Sequence, residues 1–328
     1  VLSSGKRNRQ RCIEGAALRQ FQSPSFKKDA KVSDGKERPP LSLSKEYFKQ
    51  FSFLVKLVRL YRYFCASFLD ILVKFLLFCR SPFFRVKGSS ENTVVSLTSF
   101  PERLPSAWAA IESMIQQEFK PSKIVLVLAI SQFPNKKLPL LIRWQVFRGL
   151  QILWVDEDQK SFKKLIPVIN NESGCWIVTV DDDVIYKRLF LGRLMSQARQ
   201  NSRCVVGSRG WLIKWKDGFP VDYLEFDRPV RCRICADVLL TGVGGIAYPP
   251  SVFSTSKLVD YKLAKCLCPT ADDIWFWSVL RVSGHRFMSL EQRMFRVNMA
   301  TRKTPALTDI NWHEGGNNSA LRNVTEYF

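Results

Sequence analysis

The sequence contains no G-x-x-x-x-G-K-S/T loop, and no G-x-G-x-x-G follows a strand-like run, so ATP- and NAD-type sites are disfavoured. Sixteen glycines and 16 prolines among 328 residues are too few for a collagenous or low-complexity chain. No internal repeat is visible. Acidic residues are scarce: 29 Asp and Glu stand against 50 Lys and Arg, for a net charge of +21. Such a chain seeks polyanions, whether nucleic acid, an anionic membrane surface or phosphorylated substrates. Nine cysteines, an odd number with Cys65 and Cys79 in an apolar stretch, argue against a secreted disulfide framework. Cys232, Cys235, Cys266 and Cys268 leave a four-thiolate zinc site open. The one-residue spacing of the second pair is tighter than usual for zinc, so buried free thiols are the simpler expectation.

The positive charge is unevenly placed. Residues 1–50 carry a net +7, residues 51–90 a net +6, and the remaining 238 only +8. A modest excess on the body demotes nucleic acid as its partner. Residues 1–45 are rich in Lys, Arg, Ser, Gln and Gly and have few clustered apolar residues, the composition of a disordered basic tail. From Tyr47 to Phe84 the chain turns to Phe, Leu, Val and Tyr, interrupted by Lys56, Arg59, Arg62, Asp70 and Lys74. At helical spacing those charges share an arc of roughly 120°. Residues 46–90 thus read as one amphipathic basic helix, or two in tandem, suited to an anionic membrane interface. A single membrane span is the alternative, made costly by the mid-run charges. The helix should end at Arg80 and Pro82. A cleavable signal peptide is not expected, because a long basic tail precedes the apolar stretch.

Residues 91–328 read as alternating strands and helices. Strands are expected at Thr93–Leu97, Lys123–Ile130, Leu150–Val155 and Cys175–Val180, and helices at Ala107–Gln117, Pro139–Arg148, Lys163–Asn170 and Leu189–Gln200. Continuous apolar strands alternating with helices predict a mostly parallel sheet covered on both faces. Ligands of such sheets bind beyond the carboxyl ends of the strands.

Asp181-Asp182-Asp183 follows the fourth strand directly. Three adjacent carboxylates repel one another and raise each other's pKa unless a cation or hydrogen-bond donors intervene. Mg²⁺ and Mn²⁺ take oxygen ligands and bridge one or two carboxylates to substrate phosphates. An acidic turn capping the next helix would need only one Asp. A second pair, Asp272-Asp273, precedes an aromatic helix and reads either as a helix cap or as a carboxylate base. Between them lies Thr241-Gly-Val-Gly-Gly-Ile-Ala-Tyr-Pro-Pro250, whose glycines permit close backbone approach to a ligand.

Together the opening S-L-T-S-F-P-E-R, the D-D-D, the G-V-G-G-I-A-Y-P-P and the D-D-I-W, in this order, resemble the family 2-type glycosyltransferases of the A fold. The likeness runs from about Val94 to Asn323 and points toward enzymes of bacterial surface polysaccharides. It implies an α/β nucleotide-diphospho-sugar transferase (A-type, Rossmann-like) fold with a mostly parallel central sheet, carrying metal-dependent, inverting hexosyl transfer. A nucleotide-diphosphate sugar would be the donor, and a glycan or lipid-linked hydroxyl the acceptor. Asp183 would ligate Mn²⁺ or Mg²⁺, with Asp181 and His313 as further candidate ligands. Asp181 or Asp182 would contact ribose or support the metal, and Asp273 or its neighbour Asp272 would act as base. Arg103, Asp156 and Lys164, at or after strand ends, would contact the nucleotide. The resemblance and the basic N-terminal region together place the enzyme peripherally on the cytoplasmic face of a membrane. Two rivals remain: an Asp-nucleophile phosphohydrolase, whose motif belongs on the first strand, and a non-catalytic membrane or nucleic-acid binder.

Overall fold

The computed structural model describes residues 45–86, 92–172, 174–228, 233–290, 294–298, 309–313 and 315–328. The tail expected over residues 1–45 lies outside them save for Lys45, as does Cys232 of the zinc alternative. The chain divides into residues 1–57 and 58–328. Of the first unit only the opening turns of one helix are described. That helix, α1, runs unbroken from Lys45 to Arg80 and is not two in tandem. It gives way to a 3₁₀ turn, Ser81–Phe83, where Pro82 cannot continue the hydrogen-bond ladder. In its second half one ion pair turns inward. Asp70 is buried, and its carboxylate accepts from Lys74 Nζ at 2.6 Å, an i,i+4 pair. Among the described residues no helix is long and apolar enough to cross a membrane, so the single-span alternative has no element there to rest on.

In chain order the first strands are β1 (Thr93–Thr98), β2 (Lys123–Ala129), β3 (Gln151–Val155), β4 (Trp176–Thr179) and β5 (Val184–Tyr186). There follow β6 (Cys204–Gly207), β7 (Gly210–Leu212), β8 (Trp215–Lys216), β9 (Phe219–Pro220) and β10 (Ile234–Cys235). Last come β11 (Val238–Leu240), β12 (Ile246–Tyr248), β13 (Arg286–Ser289) and β14 (Phe295–Val297). Eight of them form one sheet in the order β3-β2-β1-β4-β12-β6-β13-β10. The neighbours β3, β2, β1 and β4 are parallel, β12 runs against both β4 and β6, β13 is parallel to β6, and β10 closes that edge antiparallel. The expected mostly parallel sheet is therefore present, with one reversed strand at its centre.

Successive residues of the parallel strands point to opposite faces, and both faces are covered. Val94, Val127 and Ile177 enter one apolar cluster, while Val95, Leu126 and Val178 enter the other. Helices α2 (Leu104–Ile115) and α3 (Leu140–Phe147) lie on the second side together with α5 (Phe190–Gln200), after the short α4 (Ile166–Glu172). Lys163–Asn170, expected as one helix, splits into a 3₁₀ turn at Lys160–Lys164 and α4, with Pro167 inside the first turn of α4. Proline is tolerated there, where its missing N–H would go unused.

One buried ion pair ties α2, α3 and the segment after α1 together. Arg148 gives Glu112 two hydrogen bonds, at 3.0 and 2.8 Å, and its Nε donates to the Phe84 carbonyl at 3.0 Å. Gln116 donates to Glu112 and to the Leu77 carbonyl. Both charges are almost wholly removed from water, so Glu112→Gln strands Arg148 inside. Breaking such a pair costs about 3–5 kcal/mol. Thermal denaturation of the variant should show a midpoint lower by roughly 10 °C at this chain size.

Candidate active site

Reversal of β12 is what assembles the site. Ile246 pairs with Thr179 at the end of β4, so the turn Thr241–Gly245 that enters β12 lies beside Asp181-Asp182-Asp183 that leaves β4. Gly245 takes φ +77°, and a Cβ there would meet the Phe190 ring at 2.5 Å, which only glycine avoids. Around this junction the carboxyl ends of the strands open on a cavity of about 640 Å³. Helix α6 (Tyr261–Leu267) and then α7 (Asp272–Val282) bring the second acidic pair to it; α8 (Gly316–Tyr327) packs behind α7.

The three aspartates have separate environments. Asp182 is buried; its carboxylate accepts from Ser99 Oγ at 2.5 Å and from Arg103 Nη1 at 3.1 Å. Burial raises its pKa even so, against the pull of Arg103 and Ser99. Asp183 has Arg103 at 3.4 Å. Burial first, and then the charges of Asp181 and Asp182, push it up to about 7. Asp181 leans the other way, accepting from Lys164 Nζ at 2.9 Å.

Lys164 joins the two acidic groups. Its Nζ lies 2.9 Å from Asp181 and 3.0 Å from Asp272. Burial works against its charge, yet the two carboxylates outweigh burial and hold its pKa well above the ordinary lysine value. Gly242 leaves room for this bridge: a Cβ there would come within 2.9 Å of Nζ.

Asp272 and Asp273 occupy the first turn of α7, with Ala271 at the cap position and no side-chain cap. The helix dipole favours carboxylates there. Asp273 is pushed up to about 7 by burial and by Asp272, with Lys164 drawing it back in part. Next to it stands an aromatic wall. Trp211 packs on Tyr223 at 4.5 Å and edge-on to Trp312 at 5.3 Å, and the Arg228 guanidinium lies 3.4 Å from the Trp211 ring centre. Among the described residues, Thr241 Oγ1 and Ser161 Oγ are buried with no hydrogen-bond partner. Both residues line the cavity, and orphaned hydroxyls in such a place call for a ligand group to complete them.

Of the residues singled out from the sequence, Arg103, Lys164, Asp181, Asp182, Asp183, Asp272 and Asp273 line this one cavity. Asp156 does not: it is exposed and outside the lining. Strand β3 ends at Val155 and the chain bends at the next two residues, so Asp158 is the carboxylate that arrives. Asp158 accepts from Gln132 Nε2 at 2.9 Å and pairs with the buried Lys163, which also donates to Gln132 Oε1. His313 closes the π-helical turn Asp309–His313, and its side chain lies outside the described residues. Asp158, Lys163 and the aromatic wall carried no signal in the sequence.

No three His, Cys, Asp or Glu side chains form a metal-binding group among the described residues. Cys235, Cys266 and Cys268 are free thiols. A hard divalent cation needs only one or two carboxylates when substrate phosphates and water complete its shell. Asp181 and Asp183 are of that kind, and the charges of Asp181 and Asp182 add to burial in raising the pKa of Asp183. These residues fit Mn²⁺ or Mg²⁺.

No family model matches the chain, and no curated protein sequence matches it. Among the solved structures that overlap it in part are the following two. One is a CMP:2-keto-3-deoxy-manno-octonic acid synthetase complexed with CTP, 14% identical, with a TM-score of 0.38 over 61% of this chain and 89% of that one. The other is residues 1–349 of TarS from S. aureus, 12% identical, with a TM-score of 0.43 over 62% of this chain and 59% of that one.

Proposed function

We propose that the protein transfers a sugar from a nucleotide-diphosphate donor to a hydroxyl of a glycan or lipid-linked acceptor, with inversion at the anomeric carbon. One observation carries the reading. Two carboxylate groups from distant parts of the sequence, Asp181–Asp183 and Asp272-Asp273, face one cavity at the strand ends and are joined through Lys164.

In this reading the donor lies across the ends of β1, β2 and β4. Arg103, fixed by Asp182, and the Lys163–Asp158–Gln132 group face the nucleotide and its diphosphate. Asp181 and Asp183 would hold the divalent cation, which would supply Lewis-acid chemistry by offsetting charge on the departing diphosphate. Asp273 receives the acceptor's hydroxyl proton. The acceptor oxygen forms its bond to the anomeric carbon as the bond from that carbon to the diphosphate oxygen breaks, and the electron pair leaves with the nucleoside diphosphate. The transition state has oxocarbenium-like character, as in glycoside hydrolysis. The wall of Trp211, Tyr223 and Trp312 offers apolar faces to the acceptor sugar beside Asp273. A phosphohydrolase of the Asp-nucleophile type fits less well, because β1 ends at Thr98, is followed by Ser99, and carries no carboxylate.

Thermal-shift measurement against UDP-, GDP- and dTDP-sugars with Mn²⁺ tests this. One nucleotide class should raise the melting midpoint by several degrees in the presence of the metal and much less in chelator. Asp183→Asn should abolish the metal-dependent part without lowering the midpoint measured in the absence of ligand. An equal response of the variant to metal would overturn the assignment of Asp183.

A further inference from the structure

The outward face of α3 is apolar where a soluble helix would be polar. Leu140, Trp144 and Phe147 fall at i, i+4 and i+7, one stripe of the helix. They are 77%, 38% and 66% exposed, whereas Ile142, Gln145 and Arg148 on the other side are buried. Phe147 stacks on Trp144 at 5.5 Å, and Trp144 donates through Nε1 to Ser81 Oγ at 3.3 Å. The stripe therefore continues into the segment after α1, where Phe83 is 83% exposed. From there it meets the end of α1, whose Phe68, Ile71, Phe75 and Phe78 also face out. Exposed apolar patches of this extent mark an interaction surface.

What surrounds the patch identifies its partner. The Arg85 guanidinium lies over the Phe147 ring at 5.5 Å, and Arg80 over Phe84 at 5.2 Å. Arg80, Arg85 and Arg143 are all exposed. The segments that build the surface, residues 71–86 and 139–148, contain no Asp or Glu, against five Lys and Arg, of which Lys74 and Arg148 turn inward. Meanwhile the one acidic residue of α1's described second half, Asp70, is turned inward onto Lys74. Aromatic and aliphatic side chains ringed by arginine, with acid excluded, match the headgroup boundary of an anionic bilayer, where apolar groups insert and cations meet lipid phosphate.

We infer that the catalytic body is itself a membrane-seating surface: α3 and residues 80–85 dock on an anionic lipid bilayer together with the second half of α1. The basic helix is then one part of a two-point seat. Residues on the folded body, held rigidly by the Glu112–Arg148 pair, fix the angle at which the enzyme stands on the membrane.

Sedimentation of the full-length chain with extruded vesicles of phosphatidylcholine and phosphatidylglycerol (7:3) measures this without donor or turnover. Its outcome is thus independent of whether the protein transfers sugar. Wild-type protein should bind these vesicles and bind pure phosphatidylcholine vesicles far more weakly. Leu140→Ser with Phe147→Ser should lower the partition coefficient about tenfold, from the apolar area withdrawn. Arg85→Gln with Arg143→Gln should lower it by at least about tenfold on the anionic vesicles only. Both double variants change exposed side chains, and unchanged melting midpoints will show that the fold is kept. Unchanged partitioning in both would show that α1 alone binds lipid and would overturn the inference. So would equal binding to neutral vesicles. A wild-type dimer in analytical ultracentrifugation that the Leu140/Phe147 variant converts to monomer would also overturn it, assigning the face to a second copy of the chain.

Discussion

Asp273→Asn should lower kcat by about 10²–10⁴-fold, the range that a positioned general base contributes, while the protein stays folded and still binds its donor. The substitution keeps the size of the side chain and removes only its ability to take a proton. The neighbouring Asp272 is engaged by Lys164 at 3.0 Å, so it does not stand in. In wild-type enzyme kcat/KM should rise with pH along a limb near neutrality. Burial and Asp272 push Asp273 up to about 7, and the base acts only in its deprotonated form. Because the two carboxyls interact, the observed midpoint belongs to the pair. The Asp273→Asn profile should lose that limb. A variant that keeps more than a tenth of wild-type kcat, or that keeps the limb, would remove Asp273 from the role of base.

The same raised values have a consequence for folding. Asp183 and Asp273 each hold their proton more tightly in the folded state than the ordinary carboxyl value of 3.8. The sign follows from linkage: the folded state binds more protons, so their favourable contribution is complete below about pH 4 and is lost as pH rises through about 7. In chelator, the melting midpoint should fall between pH 5 and 8. Mn²⁺ should restore part of it at pH 8, where both carboxylates are charged.

The strand pattern was legible because β1, β2 and β4 are covered on both faces and so read as unbroken apolar runs. The acidic motifs were legible because Asp181–Asp183 stands where such a run stops. Two things were not. Strand β12 is three residues, Ile-Ala-Tyr, between a glycine turn and two prolines. Nothing local gives its direction, yet its reversal sets the glycine turn against the aspartates. Asp156 and Asp158 are equally plausible after β3, and the choice between them falls to the bend at residues 156–157. The partner that favours Asp158, Gln132, comes from the loop after β2. The outward stripe of α3 reads, from sequence, like any amphipathic helix facing its own core. Only the burial of Gln145 and Arg148 shows that the polar side faces in.

Lys164→Met should combine a large loss of stability with a change in chemistry. The side chain is close to isosteric but neutral, so the half-buried Asp181 and the buried Asp272 lose their shared, buried cation. Removing one partner of a buried pair costs about 3–5 kcal/mol, here with two carboxylates left facing each other. The lysine's own stabilisation does not fade across the working range. Its pKa is raised well above the usual value, so its contribution is complete below the ordinary lysine pKa and is lost only above it. A melting midpoint lower by roughly 10 °C is expected at pH 7. Asp273 should also feel the change, because Lys164 is what draws its raised pKa down. The rising limb of kcat/KM should therefore move to higher pH in Lys164→Met, an effect that loss of packing alone does not produce. Adding Asp272→Asn to Lys164→Met should recover part of the stability by removing one of the stranded charges, whereas Asp272→Asn alone should destabilise. A double-mutant cycle that returns strictly additive effects would show that Lys164 and Asp272 act independently, and the bridge between the two acidic groups would then have no energetic content.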